Sequence, residues 1–281
     1  MQKIALITDS ACDLELNTLR ENNINLLPLR IIYSNGDYRD RIDISPQEVY
    51  DNLEKEVPKT SLPSAQETEE ILSKLEQEGY THVICISISS GLSGSFNAIR
   101  LALEDHPKLT SFVYDSKILA YPQGEIVLEV AKLIKEGKSY EEIIKEIPEI
   151  RKRVIGYFTI NTLEYLKRGG RIGRLAGTVG ELLNLKPIIT TDEDGVYYNV
   201  AKVRGRKQSL SKMTELLKGY LAKSKCEIAV LHAGCEDEAI KYMNSLKDLT
   251  NVISIKIAEI SPALGIHGGP GLIGFSVKMV K

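Results

Sequence analysis

The segment from His82 to His106 reads as a single strand, loop and helix, and it restricts the fold more than any other stretch. HVICISI (82–88) is a continuous apolar run rich in β-branched residues, with none of the alternation of a strand that has one wet face. Such a strand belongs to a sheet covered on both sides. SFNAIRLALEDH (95–106) follows with helical periodicity, and Ser89, Ser90, Gly91, Leu92, Ser93 and Gly94 join the two. Small residues at a helix start leave backbone N–H groups unpaired and pointing outward, where they and the helix dipole favour an anion. The loop has no Lys, so it is not the phosphate loop of nucleotide hydrolases, and it lacks the G-x-G-x-x-G spacing of dinucleotide folds. It approaches the nucleophile elbow G-x-S-x-G, but Ser95 replaces the last Gly. Hydroxyls and amides without a fixed positive charge suit a group of low charge, such as one carboxylate. The plainer alternative is that Ser93 only caps the helix.

The same alternation runs through the first half. KIALITD (3–9) reads as a buried strand, a helix follows around 14–22, and LLPLRIIY (26–33) reads as one strand ended by Asn35-Gly36. Ser45 with Glu48, and Ser64 with Glu67, have capping-box spacing. SFVYD (111–115) is another strand, and helices are expected over 123–136 and 140–153, the second kinked at Pro148. The pattern predicts an α/β fold whose first domain is Rossmann-like, with a mostly parallel sheet. Ligands in such sheets bind outside the carboxyl ends of the strands. Asp9-Ser10, the Ser/Gly loop and Asp115-Ser116 all lie at such ends.

PIITT (187–191) and VYYNVAKV (196–203) flank Asp192-Glu193-Asp194-Gly195 as a hairpin. Helix, strand, helix and two strands follow over 209–279. A second, α+β domain is expected, with an antiparallel or mixed sheet and helices on one face. The boundary is set at 1–158 and 159–281, with segment 58–79 a candidate to cross over and pack on the second domain. A chain of 281 residues suits two domains at ~150 residues each.

Composition excludes several classes. Apolar residues at 43% and a formal charge of −2 give no general pull toward nucleic acid or anionic membrane. The four cysteines form no CxxC pair, which suits a reducing compartment. MQKIALITDS is too short an apolar stretch for a signal peptide, and no run approaches ~18 apolar residues. A cytoplasmic protein without an integral membrane segment is expected.

Three more stretches carry chemistry. Lys59 to Ser64 is a polar loop before a helix, where Thr60 or Ser61 faces a ligand or Ser64 merely caps. Gly265 to Gly271 holds four glycines and His267, and reads as a loop between two strands that closely approaches something. His267 is a donor to an anion, a base, or an ordinary surface residue. Lys167 to Arg174 and Lys202 to Lys207 are basic clusters, either solvated or docking an acidic partner or a phosphorylated substrate. Both lack aromatic residues, which argues against nucleic acid. An enzyme reading would make Ser93 the nucleophile of an acyl hydrolase, His267 its base and Asp9 or Asp115 the orienting acid. The imperfect elbow weighs against it.

ITDSACDL (7–14), TSLPS (60–64), SSGLSGSFNA (89–98), VYDSK (113–117), LKRGGRIGRLAGTVGELLNLKPII (166–189) with DEDG (192–195), VRGRKQSL (203–210) and HGGPGLIGF (267–275) occur in this order. Together they resemble the DegV family of bacterial fatty-acid-binding proteins. The resemblance implies a two-domain α/β protein enclosing one long-chain fatty acid, such as palmitate, stearate or oleate, with no cofactor and no metal. It further implies a carrier for the catalytic subunit of a fatty acid kinase, which makes an acyl phosphate for phospholipid synthesis. The implied carboxylate contacts are Thr60, Ser93 with the Gly94 amide, and His267, with no Lys or Arg at the head group. Arg171 is implied in kinase docking, and Arg204 and Lys207 less directly. Leu62 stands where many members carry Gln and is not expected to touch the carboxylate. LAGTVGELLNL (175–185) is a candidate lining for the tail. A third reading, a sugar or polyol kinase domain related to dihydroxyacetone kinases, meets no Walker-type loop and no Asp cluster for magnesium.

Overall fold

The computed structural model describes residues 2–178 and 185–280. The chain runs β1 (Ile4–Asp9), α1 (Leu16–Glu21), β2 (Ile24–Leu27), β3 (Arg30–Tyr33), β4 (Gly36–Arg39), α2 (Pro46–Asn52), β5 (Lys59–Ser61), α3 (Ala65–Gln77), β6 (His82–Ser87), α4 (Ser95–Glu104), β7 (Thr110–Asp115), α5 (Ala120–Lys135) and α6 (Tyr140–Lys152). It continues through β8 (Val154–Thr159), α7 (Glu164–Arg168), β9 (Leu185–Thr191), β10 (Tyr197–Arg204), α8 (Arg206–Leu221), β11 (Cys226–His232), α9 (Glu236–Leu246), β12 (Val252–Glu259), α10 (Pro262–Gly268) and β13 (Ile273–Met279).

The expected α/β fold is present. The first sheet is parallel throughout, in the order β2-β1-β6-β7. From β1 the chain steps to β2 on one side and later returns to β6 on the other, so the order reverses between β1 and β6. That switch point is where parallel sheets open a crevice for ligands. Leu72, Leu75, Ile99 and Leu103 of α3 and α4 cover one face. Ile126, Val130, Ile143 and Ile147 of α5 and α6 cover the other.

LLPLRIIY is not one strand. Pro28 has no N–H to give to a ladder, and the chain changes sheet there: β2 stays with β1, while β3 joins β4 and β5 in a small antiparallel sheet. β3 ends at Tyr33, just before Asn35-Gly36 as expected; Ser34 and Asn35 make the tight turn, and Gly36 opens β4 opposite Tyr33. Within the segment 58–79, α3 packs on the parallel sheet through Leu72 and Leu75, and β5 reaches toward the second half. The Ser45 capping box is complete. At Ser64 the hydroxyl caps Glu67 N, but the Glu67 carboxylate is drawn to Arg30 and Arg39 instead.

The second sheet is mixed, in the order β10-β9-β8-β13-β11-β12, antiparallel except for β11 with β12. β8 was not anticipated as a strand, and the expected boundary at 158/159 falls inside it; the change of sheet comes before Val154. VIGYFT is rich in strand formers, with Val154, Ile155, Tyr157, Phe158 and Thr159, but it is packed on both faces and shows no apolar/polar alternation. Helices were expected on one face only. α8 and α9 cover that face through Met213, Leu217, Ala239 and Tyr242, but α5 from the first half packs on the opposite face against β8 and β13. Alternate residues of β11 serve the two layers: Ile228 and Val230 face α8 and α9, whereas Ala229 and Leu231 join the core between the sheets.

Candidate functional site

The Ser/Gly loop closes on itself at the carboxyl end of β6. Leu92 N and Ser93 N both donate to Ser89 O, at 3.0 Å each, and Ser89 N donates to Ile118 O at 2.9 Å. Ser89 Oγ donates to Gly195 O at 2.8 Å and accepts from Gly91 N at 3.1 Å. The tip of the β9–β10 hairpin therefore docks on the loop, backbone against backbone. A Cβ on Gly91 would lie 2.8 Å from Asp194 O, and one on Gly195, whose φ is +76°, would lie 1.9 Å from Ser89 Oγ. Ser90 is also engaged, its N with Asp115 Oδ1 at 3.0 Å and its Oγ with Lys117 Nζ at 3.0 Å. Ser93 Oγ pairs with Ser95 Oγ at 2.9 Å and faces a cavity. The residue that caps α4 is Gly94, with no side-chain cap.

That cavity, about 190 Å3, brings Ser93 together with Thr60 and His267. The stretch 265–271 is not simply a loop. Ser261 caps and Pro262 opens α10, and His267 lies in its last turn. The Ser-Pro start signal was masked by the glycines, whose purpose is close packing: a Cβ on Gly265 would lie 2.7 Å from Tyr50 Oη and one on Gly268 2.6 Å from Leu272 Cδ1. A buried carboxylate pair that sequence reasoning missed holds the start of α10 to the first half. Asp13 Oδ1 accepts from Ser261 N at 2.8 Å and Asp40 Oδ1 from Ala263 N at 2.9 Å. Asp40 also accepts from Ser10 Oγ, at 2.5 Å, and Arg41 Nη2 donates to Asp13 at 3.4 Å and to Glu259 O at 2.6 Å. Burial pushes Asp13 up to about 7 and Asp40 up to about 6, against the pull of Arg41 and these donors.

His267 Nε2 lies 2.7 Å from Thr60 Oγ1. Desolvation in the cavity wall, aided by the positive Arg171, pushes the imidazole down to about 4, so it is neutral near pH 7. Its Nδ1 is buried without a partner, against Gly169, where a Cβ would lie 2.0 Å away. A neutral ring has one N–H, and placing it on Nδ1 would orphan a buried donor. The network thus assigns the proton to Nε2, donating to Thr60 Oγ1. The Thr60 O–H is then left to donate into the cavity.

Arg171 lines the same cavity. Its Nε donates to Leu92 O at 3.1 Å and its Nη1 to Gly169 O at 2.8 Å, so it straps the Ser/Gly loop to the turn after α7. An Arg thus lines the cavity that holds Thr60, Ser93 and His267, where the resemblance implies a carboxylate held without Lys or Arg. Leu62 also lines this cavity, and a Cβ on Gly94 would lie 3.3 Å from its Cδ2. Arg204 and Lys207 are exposed, at the end of β10 and in the first turn of α8. Their neighbour Arg206 instead holds Glu238 and Gly271 O. Residues 179–184 of the expected tail lining lie outside the described residues; Leu175, before them, is buried.

A hydrolase triad is not assembled. Ser93 pairs with Ser95 and His267 with Thr60. Asp9 accepts from Ile88 N, Ser87 Oγ, Gln123 Nε2 and Ala11 N, pinning β1 to β6 across the switch point. Asp115 is held by Ser90 N and Lys117. Neither carboxylate orients His267. Among the described residues no group of His, Cys, Asp and Glu has the arrangement of a metal site, and no helix is long and apolar enough to cross a membrane.

A second cavity, about 60 Å3 and almost wholly apolar, lies beside the first, between the start of α5 and the mixed sheet. Leu119, Tyr197 and Leu264 line both. From there it runs to Pro122, Gly156 and Phe275. On the outer side an open recess of about 300 Å3, lined by Ser90, Gly94, Gly170 and Gly173, shares Ser93 and Arg171 with the polar cavity.

The DegV family model, described as "Uncharacterised protein, DegV family", matches residues 3–279. This chain belongs to the DegV family. A DegV domain-containing protein of Clostridium perfringens is 50% identical over 278 residues, covering 99% of each chain. The DegV protein of Bacillus subtilis, described as a fatty acid binding protein, is 32% identical, with a TM-score of 0.91 over 100% of both chains. A stearic-acid-binding protein of Eubacterium ventriosum is 28% identical, with a TM-score of 0.87 over 99% of this chain and 98% of that one. Both structures share this chain's α/β fold over nearly its whole length.

Proposed function

We propose that this protein binds one long-chain fatty acid, with its carboxylate at Thr60, Ser93, the Gly94 amide and His267 and its tail between the sheets. The observation that carries the reading is that the polar cavity and the apolar one are neighbours, with Leu119, Tyr197 and Leu264 as their common wall. That relatives of the same fold bind fatty acids supports it. Thr60 and Ser93 supply hydroxyls, Gly94 an amide at a helix start, and neutral His267 orients Thr60. Each buried methylene contributes roughly 0.8 kcal/mol. A tail of ~14 methylenes gives ~11 kcal/mol gross before the costs of association. Charge-assisted hydrogen bonds add ~1.5–3 kcal/mol each. The tail dominates affinity, and the polar cavity sets which end faces outward. A long chain must part the side chains that line the narrow apolar cavity, so binding involves repacking between the sheets.

The carboxylate end then lies beside the open recess at the Ser/Gly loop, where a separate fatty acid kinase would reach it to form the acyl phosphate. Arg171 borders that recess, and the exposed Arg204 and Lys207 offer further positive charge to an acidic docking surface. No cofactor is required for binding, and the chemistry resides in the partner. Delipidated protein is expected to take up one equivalent of stearate or palmitate in native mass spectrometry. No acyl adduct after soaking would refute the reading.

A further inference from the structure

Behind the Pro122 and Gly156 wall of the apolar cavity lies a buried polar pair that the head-group chemistry does not use. Gly156 and Pro122 line the cavity, and a Cβ on Gly156 would lie 2.7 Å from Pro122 Cγ. Directly opposite Gly156 on β13 is Ser276, and one turn along α5 from Pro122 is Glu125. Ser276 Oγ donates to Glu125 Oε2 at 2.6 Å, and both residues are buried, at 0% and 5% exposure. Beyond them, on the same face of the mixed sheet, the layer turns polar. A cavity of about 200 Å3 there is lined by Glu125, Glu227, Lys256 and Lys278. Lys278 is paired with Glu129 at 2.7 Å and Glu227 at 2.8 Å.

We infer that the Glu125–Ser276 pair is the floor of the tail site and sets the longest acyl chain the protein accepts; this rests on the fatty-acid reading. A methylene that finds apolar lining raises affinity about fourfold. One driven past Pro122 and Gly156 must instead part a buried hydrogen bond whose groups find no replacement partner in a hydrocarbon chain. The floor is polar without carrying charge: burial pushes Glu125 up to about 8, opposed by Ser276, Lys278 and Lys256 and aided by Glu227. Affinity should therefore rise with chain length and then fall abruptly at one length.

The test is native mass spectrometry of delipidated protein offered an equimolar mixture of saturated acids from tetradecanoic to docosanoic. Glu125→Ala is expected to move the preferred length up by about two carbons, the size of the group removed. Ser276→Ala, a smaller change, should move it in the same direction. Glu125→Gln keeps the volume and the hydrogen bond and should leave the profile alone. An unchanged profile in folded Glu125→Ala overturns the inference, as does an unchanged profile in folded Ser276→Ala should the first variant not fold. A shift in Glu125→Gln contradicts it equally. Wild-type protein that takes up no acid at all removes the fatty-acid reading itself, whereas wild-type uptake with an unmoved profile removes only the floor.

Discussion

Replacing Thr60 by Val separates the two tasks assigned to its hydroxyl. The side chain keeps its shape, so β5 and its pairing with Ile31 survive. What is lost is the acceptor for His267 Nε2–H, 2.7 Å away, and the donor directed into the cavity. Leaving a partly buried N–H without a partner costs about 1 kcal/mol, at the low end of the usual range. For a chain of this size that lowers the thermal midpoint by roughly 2–4 °C. Removing one charge-assisted hydrogen bond to the carboxylate costs ~1.5–3 kcal/mol, or about 10–150-fold in affinity. The tail's ~11 kcal/mol gross is untouched, so Thr60→Val still binds fatty acid, only more weakly. Thermal unfolding of the delipidated protein reads the first effect, and displacement of a fluorescent fatty acid reads the second. A folded variant with a lowered midpoint but wild-type affinity would refute the carboxylate role and leave Thr60 as a support for His267 alone.

Gly195→Ala should undock the hairpin tip, because the added Cβ meets Ser89 Oγ at 1.9 Å on backbone with φ +76°. Strain of about 1–2 kcal/mol and the loss of the Ser89–Gly195 bond, about 1 kcal/mol, predict a midpoint lowered by at least about 4 °C and faster hydrogen exchange at Leu92 and Ser93; an unchanged midpoint contradicts this. Arg171→Ala removes the donors held by Leu92 O and Gly169 O, so fatty acid affinity should fall together with kinase coupling. Retained affinity with lost coupling would confine Arg171 to docking. Glu125 is raised from the ordinary carboxyl range to about 8, so its protonated form favours the folded chain, and this contribution is lost as pH rises from about 5 to 8. Glu125→Gln removes that titration. Its stability relative to wild type should climb by up to about 1.4 kcal/mol per pH unit over that window, whereas parallel stability curves would show Glu125 to be ordinary.

The parallel sheet and the Ser/Gly loop were legible in the sequence because their signals are local. Buried strands such as KIALITD and HVICISI are apolar throughout, and small residues mark the helix start after the second. The split of LLPLRIIY at Pro28 was legible in principle, since proline rarely continues a ladder, but nothing local says that the second piece joins another sheet. β8 escaped because the domain boundary was expected there, and α10 because Gly265 and Gly268 read as loop, whereas Gly156, Gly265 and Gly268 each admit a close neighbour. Thr60, Ser93 and His267 came from the family resemblance, and the geometry places them around one cavity. What no pattern carried is long-range: Arg171 beside the head site, the Asp13 and Asp40 carboxylates that hold α10, and the Glu125–Ser276 pair, whose partners are 151 residues apart.

The most direct test of the account is a crystal structure of delipidated protein soaked with stearic acid. It should show one extended chain between the sheets, with carboxylate oxygens within about 3.2 Å of Thr60 Oγ1 and Ser93 Oγ and the methyl end against Pro122 and Gly156. A chain bound elsewhere, or one lying with its methyl end at Thr60 and Ser93, would contradict it.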